Sequence, residues 1–175
     1  MSLLLPPLFG AISGIDIPAG DKDYKITDSF KLPVSVEAFG VTAHAHYLGK
    51  KMVLTATLPS GKVLTLLNIP DWDFNWQGQY QFVSPVTLPA GTVLHSLITY
   101  DNSATNPHQP SNPPKEVWWG EQTTDEMGSL ILLIYPKNPQ QMQTLNFANL
   151  LHIRSVYMKT KRVSSGSPFK IRTQG

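Results

Sequence analysis

Cysteine is absent from this chain of 175 residues. That excludes a disulfide framework and any metal site built on thiolates, but it leaves the redox compartment open, because lacking disulfides does not require a reducing environment. Charge is scarce as well: 15% of the residues are Asp, Glu, Lys or Arg, and they nearly cancel, to +2. With no basic stripe and no acidic tail, neither nucleic acid nor an anionic membrane is implied as a partner. Long apolar runs are missing too. The stretch Met1-Ser2-Leu3-Leu4-Leu5-Pro6-Pro7-Leu8-Phe9-Gly10 is too short to span a bilayer and has no basic region ahead of its apolar part, which makes it a poor signal peptide. Met1-Ser2-Leu3 reads instead as the start of a cloned fragment. A glycine-rich phosphate loop, a serine nucleophile elbow and heptad repeats are likewise lacking.

What the chain has is punctuation. Fifteen Pro and twelve Gly lie between short apolar runs, a pattern of turns and short strands, not long helices. Residues Asp23 to Leu32, Val34 to Val41, Lys51 to Leu58, Val63 to Leu67, Gln79 to Val83 and Val93 to Tyr100 read as strands rich in β-branched and aromatic side chains, separated by turns such as Pro59-Ser60-Gly61 and Pro89-Ala90-Gly91. Met127 to Tyr135 is apolar almost throughout and reads as a strand buried on both faces, its first residue at a sheet edge. The expected class is all-β, an antiparallel β-sandwich of jelly-roll type. Its length suits one domain: residues 1–20 form a leading segment, residues 21–158 the sandwich, and residues 159–175, rich in Lys, Arg and Ser, a solvated tail or late strand.

Within that pattern, Thr42-Ala43-His44-Ala45-His46-Tyr47-Leu48-Gly49 places two histidines on one face of an extended segment, about 6.6 Å apart at ~3.3 Å per residue. Two imidazoles so spaced can converge on one metal. Imidazole suits copper, zinc, iron or nickel, whereas a thioether is soft and adds little except to copper, Cu(I) above all. Met127, in Asp125-Glu126-Met127, therefore discriminates between metals if it is the third ligand. From the residues alone, other readings stand beside this one. A His-x-His on a strand also serves as a solvated face, and a methionine ahead of Leu130, Ile131, Leu132 and Leu133 serves as core filler.

The two motifs, His44-Ala45-His46-Tyr47-Leu48-Gly49 and Asp125-Glu126-Met127 followed by an apolar strand ending in Tyr135-Pro136, occur in this order and roughly eighty residues apart. From about Val36 to Pro136 the chain thereby resembles the second catalytic domain of the copper type II, ascorbate-dependent monooxygenases, the family of peptidylglycine alpha-hydroxylating monooxygenase and dopamine beta-monooxygenase. The resemblance implies one copper ion held by His44, His46 and Met127, the centre at which dioxygen is activated and a substrate C–H bond is broken. It implies a small-molecule substrate, ascorbate or another one-electron reductant, and an extracytoplasmic setting, periplasmic or secreted, for the parent protein. A second copper domain, held by three histidines and placed upstream, is also implied. This chain supplies no such trio, so alone it is expected to be inactive.

Departures from the family narrow the reading. Where the peptide-amidating members hold a substrate carboxylate with Arg and Tyr, this chain has Thr42 and Ile131, so these two become candidate substrate contacts and peptide amidation is not expected. Where the family carries a disulfide-forming cysteine after the methionine, this chain has Gly128.

His108 lies in the long polar segment Asp101 to Pro114 and is a further candidate substrate contact, although a solvent-exposed loop histidine has the same pattern. His95 and His152, each in an apolar run, read as structural. Trp72, Phe74, Trp76, Tyr80, Trp118 and Trp119 suit a hydrophobic ligand surface or ordinary packing. Asp71 with Asp73 and Asp125 with Glu126 look like acid–base pairs, but no nucleophile neighbours either, which disfavours glycoside hydrolysis. Two other classes remain beside a monooxygenase domain: a β-sandwich that binds carbohydrate or protein, and a non-enzymatic copper-binding protein.

Overall fold

Alternation of apolar and polar side chains dominates from Tyr24 onward, and in the computed structural model, which describes residues 2–5 and 14–164, it gives strands nearly throughout. These are β1 (Ser2–Leu5), β2 (Asp16–Ile17), β3 (Tyr24–Lys31), β4 (Val36–Ala45), β5 (Gly49–Thr57), β6 (Val63–Ile69), β7 (Gln79–Leu88), β8 (Val93–Tyr100), β9 (Val117–Trp118) and β10 (Gly128–Pro136). A 3₁₀ turn, Pro139–Gln141, leads into one helix, α1 (Met142–Ser164). Two four-stranded antiparallel sheets form, in the orders β1-β10-β4-β7 and β3-β8-β5-β6, beside a short β2-β9 ribbon. The chain crosses between sheets from β3 to β4 to β5 and again from β6 to β7 to β8 to β10, which is jelly-roll winding. The expected antiparallel sandwich is the fold.

Between the sheets lies one apolar cluster. Val36, Ala38, Val41, Ala43 and Ala45 of β4 and Leu130, Leu132 and Ile134 of β10 meet Met52, Leu54 and Ala56 of β5 and Leu94, Ile98 and Tyr100 of β8. The outer face of β4 and β10 carries the other parity. Ser129, Ile131 and Leu133 are partly exposed and Tyr135 is exposed, so β10 is not buried on both faces as its composition implied. An antiparallel strand needs only one face against the core, and leucine or isoleucine on the other is tolerated at partial exposure. Nor does β10 lie at an edge, since it pairs with β1 on one side and β4 on the other.

Residues before 21 also join the fold, β1 through β10 and β2 through β9. The segment from residue 159 begins inside α1 and is helical to Ser164, neither tail nor strand there. From Met142 to Ser164 there is no Gly or Pro, and Asn138 caps the preceding turn by accepting from the Gln140 N–H with Pro139 at the first position. Leu145 is fully buried, while His152 Nε2 meets Asp28 Oδ2 at 2.6 Å and its ring sits edge-on to Phe30. His152 therefore anchors the helix to β3. His95 is structural as well, its Nδ1 lying 2.9 Å from Ser29 Oγ on the neighbouring strand. In the long loop after β8, buried Asn102 holds the backbone together: its Nδ2 reaches the carbonyls of Ile17, Pro18 and Lys115, and its Oδ1 accepts from Gln109. No described helix is long and apolar enough to cross a membrane.

Candidate metal centre

Strand pairing brings the two motifs together. β4 and β10 run antiparallel with Ala45 opposite Gly128 and His44 opposite Ser129. His46 and Met127, 81 residues apart in sequence, each lie one residue past this paired end. His44 and Met127 are half-exposed and His46 is buried. The imidazoles of His44 and His46 stand edge to face, centroids 5.2 Å apart at 83°.

Each ring is held by its Nδ1. His46 Nδ1 lies 3.1 Å from the Asp125 carbonyl, which only accepts, so in the neutral ring Nδ1 carries the proton and Nε2 the lone pair. His44 Nδ1 lies 2.6 Å from Gln77 Oε1. Gln77 Nε2 donates to the Phe74 carbonyl at 2.9 Å, which orients the amide so that oxygen faces the imidazole. Both rings are thus fixed in the tautomer a metal-binding Nε2 needs, by the outer partners that metal-binding histidines ordinarily have. Burial, with the neighbouring His44, holds His46 below its ordinary pKa and favours the neutral ring, against a pull from Asp125 and from the Gln122 backbone, which also reaches this ring.

The backbone around this pair is secured by Glu126, which is fully buried. Its Oε1 accepts from the N–H groups of His46 (2.6 Å) and Met127 (2.8 Å), and its Oε2 from that of Leu48 (3.0 Å). One carboxyl thereby ties both motifs. Burial pushes it up to about 8, against these three amides. Trp72 Nε1 donates to the His46 carbonyl at 3.2 Å, and Tyr100 Oη to the Met127 carbonyl at 3.0 Å. Gly49, which ends the first motif, is required sterically, because a Cβ there would lie 2.6 Å from the Trp72 ring.

Gly128, where the resemblance implies a cysteine, has a similar cause: a Cβ on it would lie 2.0 Å from Tyr100 Oη. The tyrosine takes the space and tethers Met127 through its carbonyl. Gly128→Ala is therefore expected to cost about 3 kcal/mol, through overpacking against a fully buried ring. A urea midpoint unchanged from the parent would show that Tyr100 yields freely.

Among the described residues no group of three or more His, Asp or Glu side chains is placed to hold a metal. With Met127 as a third donor, the set would be two neutral imidazoles and a thioether with no carboxylate. That donor set is soft and fits Cu(I). Thr42 and Ile131 face each other across β4 and β10, both half-exposed on the face that bears His44. His108 is exposed, and among the described contacts none joins its ring to the pair; its backbone N–H donates to Asn106 Oδ1. Gln77 and Tyr100 were not singled out by sequence reasoning. Glu126 carried no positioning role there, although its place between an aspartate and the methionine, ahead of an apolar strand, is a signal for a buried acid.

No family model matches the chain, and no curated protein does. Among solved structures it is similar to the infectious bursal disease virus T13 particle, at 8% identity and a TM-score of 0.32 over 97% of this chain and 53% of that one. It is also similar to the D431N mutant VP2 protein of that virus in T=1 particles, at 11% identity and 0.26 over 91% and 55%. The chain spans about half the length of these viral chains. Likenesses this slight carry nothing about activity.

Proposed function

We propose that this chain binds one copper ion through His44, His46 and Met127 and is the substrate-side domain of an ascorbate-dependent, dioxygen-consuming monooxygenase that hydroxylates a C–H bond. The observation that carries the reading is the preset pair of imidazoles: Nδ1 of each is held by an acceptor from a separate segment, Gln77 or Asp125, at the strand end just past which Met127 lies. Copper bound there would supply one-electron redox chemistry and activation of dioxygen. The chain's own groups do the rest. Gln77 and the Asp125 carbonyl hold the ring protons on Nδ1, Glu126 fixes the backbone from which His46 and Met127 project, and Thr42 and Ile131 flank the approach to His44. Electrons would come from ascorbate or a similar one-electron donor through a second copper domain upstream, in an extracytoplasmic parent protein.

Anaerobic loading with Cu(I), followed by copper X-ray absorption, tests the assignment. One copper per chain is expected, with nitrogen scattering from two imidazoles and a longer sulfur shell that disappears in Met127→Ala. Failure to bind stoichiometric copper would overturn it and favour a carbohydrate- or protein-binding sandwich. Stoichiometric copper with no oxygen chemistry, even beside a restored upstream domain, would favour a copper carrier.

A further inference from the structure

The loop from Asp71 to Gly78 is anchored to the copper ligands at both ends: Trp72, nearly fully buried, donates to the His46 carbonyl, and Gln77 receives His44. Between these anchors Asn75, Trp76, Gln77 and Gly78 line an open depression of about 290 Å³, close to the lower end for small-molecule sites. We propose that this depression is the substrate seat, with Trp76 as its platform, and that it takes an aromatic or apolar molecule that carries no anionic group. The inference rests on the monooxygenase reading above and names its substrate class.

Trp76 is the first reason. It is 74% exposed, whereas Trp72 fills the core and Phe74 packs against His46 and Tyr47. An indole left this bare, one residue from the amide that holds His44, offers rigid contact area the fold does not use. The loop presenting it is already ordered. Asp73 Oδ1 accepts from the Asn75 N–H and Nδ2, and the Asp73 carbonyl accepts from the Trp76 N–H.

Charge is the second. Residues 32–49, 63–114 and 116–136 contain no Lys or Arg, so β4, the loop, β7 and β10 bring no cationic side chain of that kind to this face. Lys50, next along, is turned away to the Lys22 carbonyl and Asp101. A carboxylate or phosphate on the substrate would lose its hydration and find no guanidinium or ammonium on β4, the loop, β7 or β10 to replace it. The loop's own acids act in the same direction: exposed Asp71 stands at its head, and Asp73, also exposed, accepts only from the neutral N–H groups of Asn75, so both oppose an anionic group. Thr42 and Ile131, beside His44 on the sheet, offer a hydroxyl and an alkyl group, both neutral.

The test uses the full chain without metal, ¹⁵N-labelled, titrated in turn with 2-phenylethanol, phenylacetate and 2-phenylethylamine, probes of one shape and three charges. Expected are amide shifts centred on Asn75 to Gly78, and a Kd for the alcohol about tenfold or more below that of phenylacetate, with the amine bound more tightly than phenylacetate. Trp76→Ala should weaken the alcohol about tenfold and Trp76→Phe should restore most of it, with Cu(I) affinity unchanged in both. Binding of phenylacetate as tight as that of the alcohol or the amine, shifts centred elsewhere, or a Trp76→Ala chain that binds as before would each overturn the proposal. A chain that binds Cu(I) and none of the three probes would overturn the seat and leave the copper centre standing. Binding of the alcohol at the loop by a chain that takes no copper would uphold the seat and remove the centre.

Discussion

Glu126→Ala is expected to destabilise the chain by about 3 kcal/mol or more at pH 6, measured by urea unfolding. The carboxyl is fully buried and accepts from the N–H groups of His46, Leu48 and Met127. Alanine leaves those donors without an acceptor, at about 1–3 kcal/mol for each one water does not reach, and opens a cavity besides. Against a total stability of about 5–15 kcal/mol for an ordinary domain, that is a large loss. Glu126→Gln keeps the volume and one acceptor oxygen, so it should cost less. The two variants also separate the pH behaviour. With the folded-state value at about 8 and the unfolded one near 4.5, the folded chain holds a proton the unfolded chain has released. Stability must then fall as pH rises from about 4.5 to about 8, by a few kcal/mol in all. In Glu126→Gln that slope should flatten. A parent whose stability rises through this window would mean that the three amides outweigh burial and that the carboxylate is charged in the folded state.

How much of this was legible beforehand depends on the range of the interaction. Strand positions were readable because alternation is local: Val93 to Tyr100 matches β8, and Val63 to Leu67 falls two residues short of the end of β6. The helix was not read, because Leu150, Leu151 and Ile153 look like any apolar run, and buried Leu145 and half-buried His152 gain their meaning only from β10 and Asp28. β2 and β9 are two residues each and exist through Asn102, a loop side chain bridging segments far apart in sequence. At the candidate centre, His44, His46 and Met127 were legible as residue types at a spacing. The groups that hold them were not: Gln77 lies 33 residues from His44, and Tyr100 lies 27 from Met127. No periodicity links such partners. The path of the Asp71 to Gly78 loop brings Gln77 to His44, and β8 of the opposite sheet brings Tyr100 to Met127.

The double variant His44→Ala, His46→Ala should lose Cu(I) affinity by far more than a hundredfold, since even removing an outer partner of a ligating histidine costs about ten- to a hundredfold. Gln77→Ala falls in that outer class and should weaken binding by about that smaller factor, because His44 would keep its nitrogen and lose its fixed tautomer. Met127→Ala should act differently. A thioether stabilises Cu(I) and contributes little to Cu(II) or zinc, so its removal should weaken Cu(I) selectively and erase the sulfur shell. The methionine inventory makes that reading strict. Of five methionines, Met52 is fully buried in the opposite sheet, Met142 and Met158 belong to α1, and Met1 lies outside the described residues. With no cysteine in the chain, a sulfur shell from this centre traces to Met127. A Cu(I) affinity indifferent to Met127→Ala would leave a bare two-histidine site. That site would have no built preference for reduced copper, and the monooxygenase reading would lose its chemical basis while the fold stayed as it is.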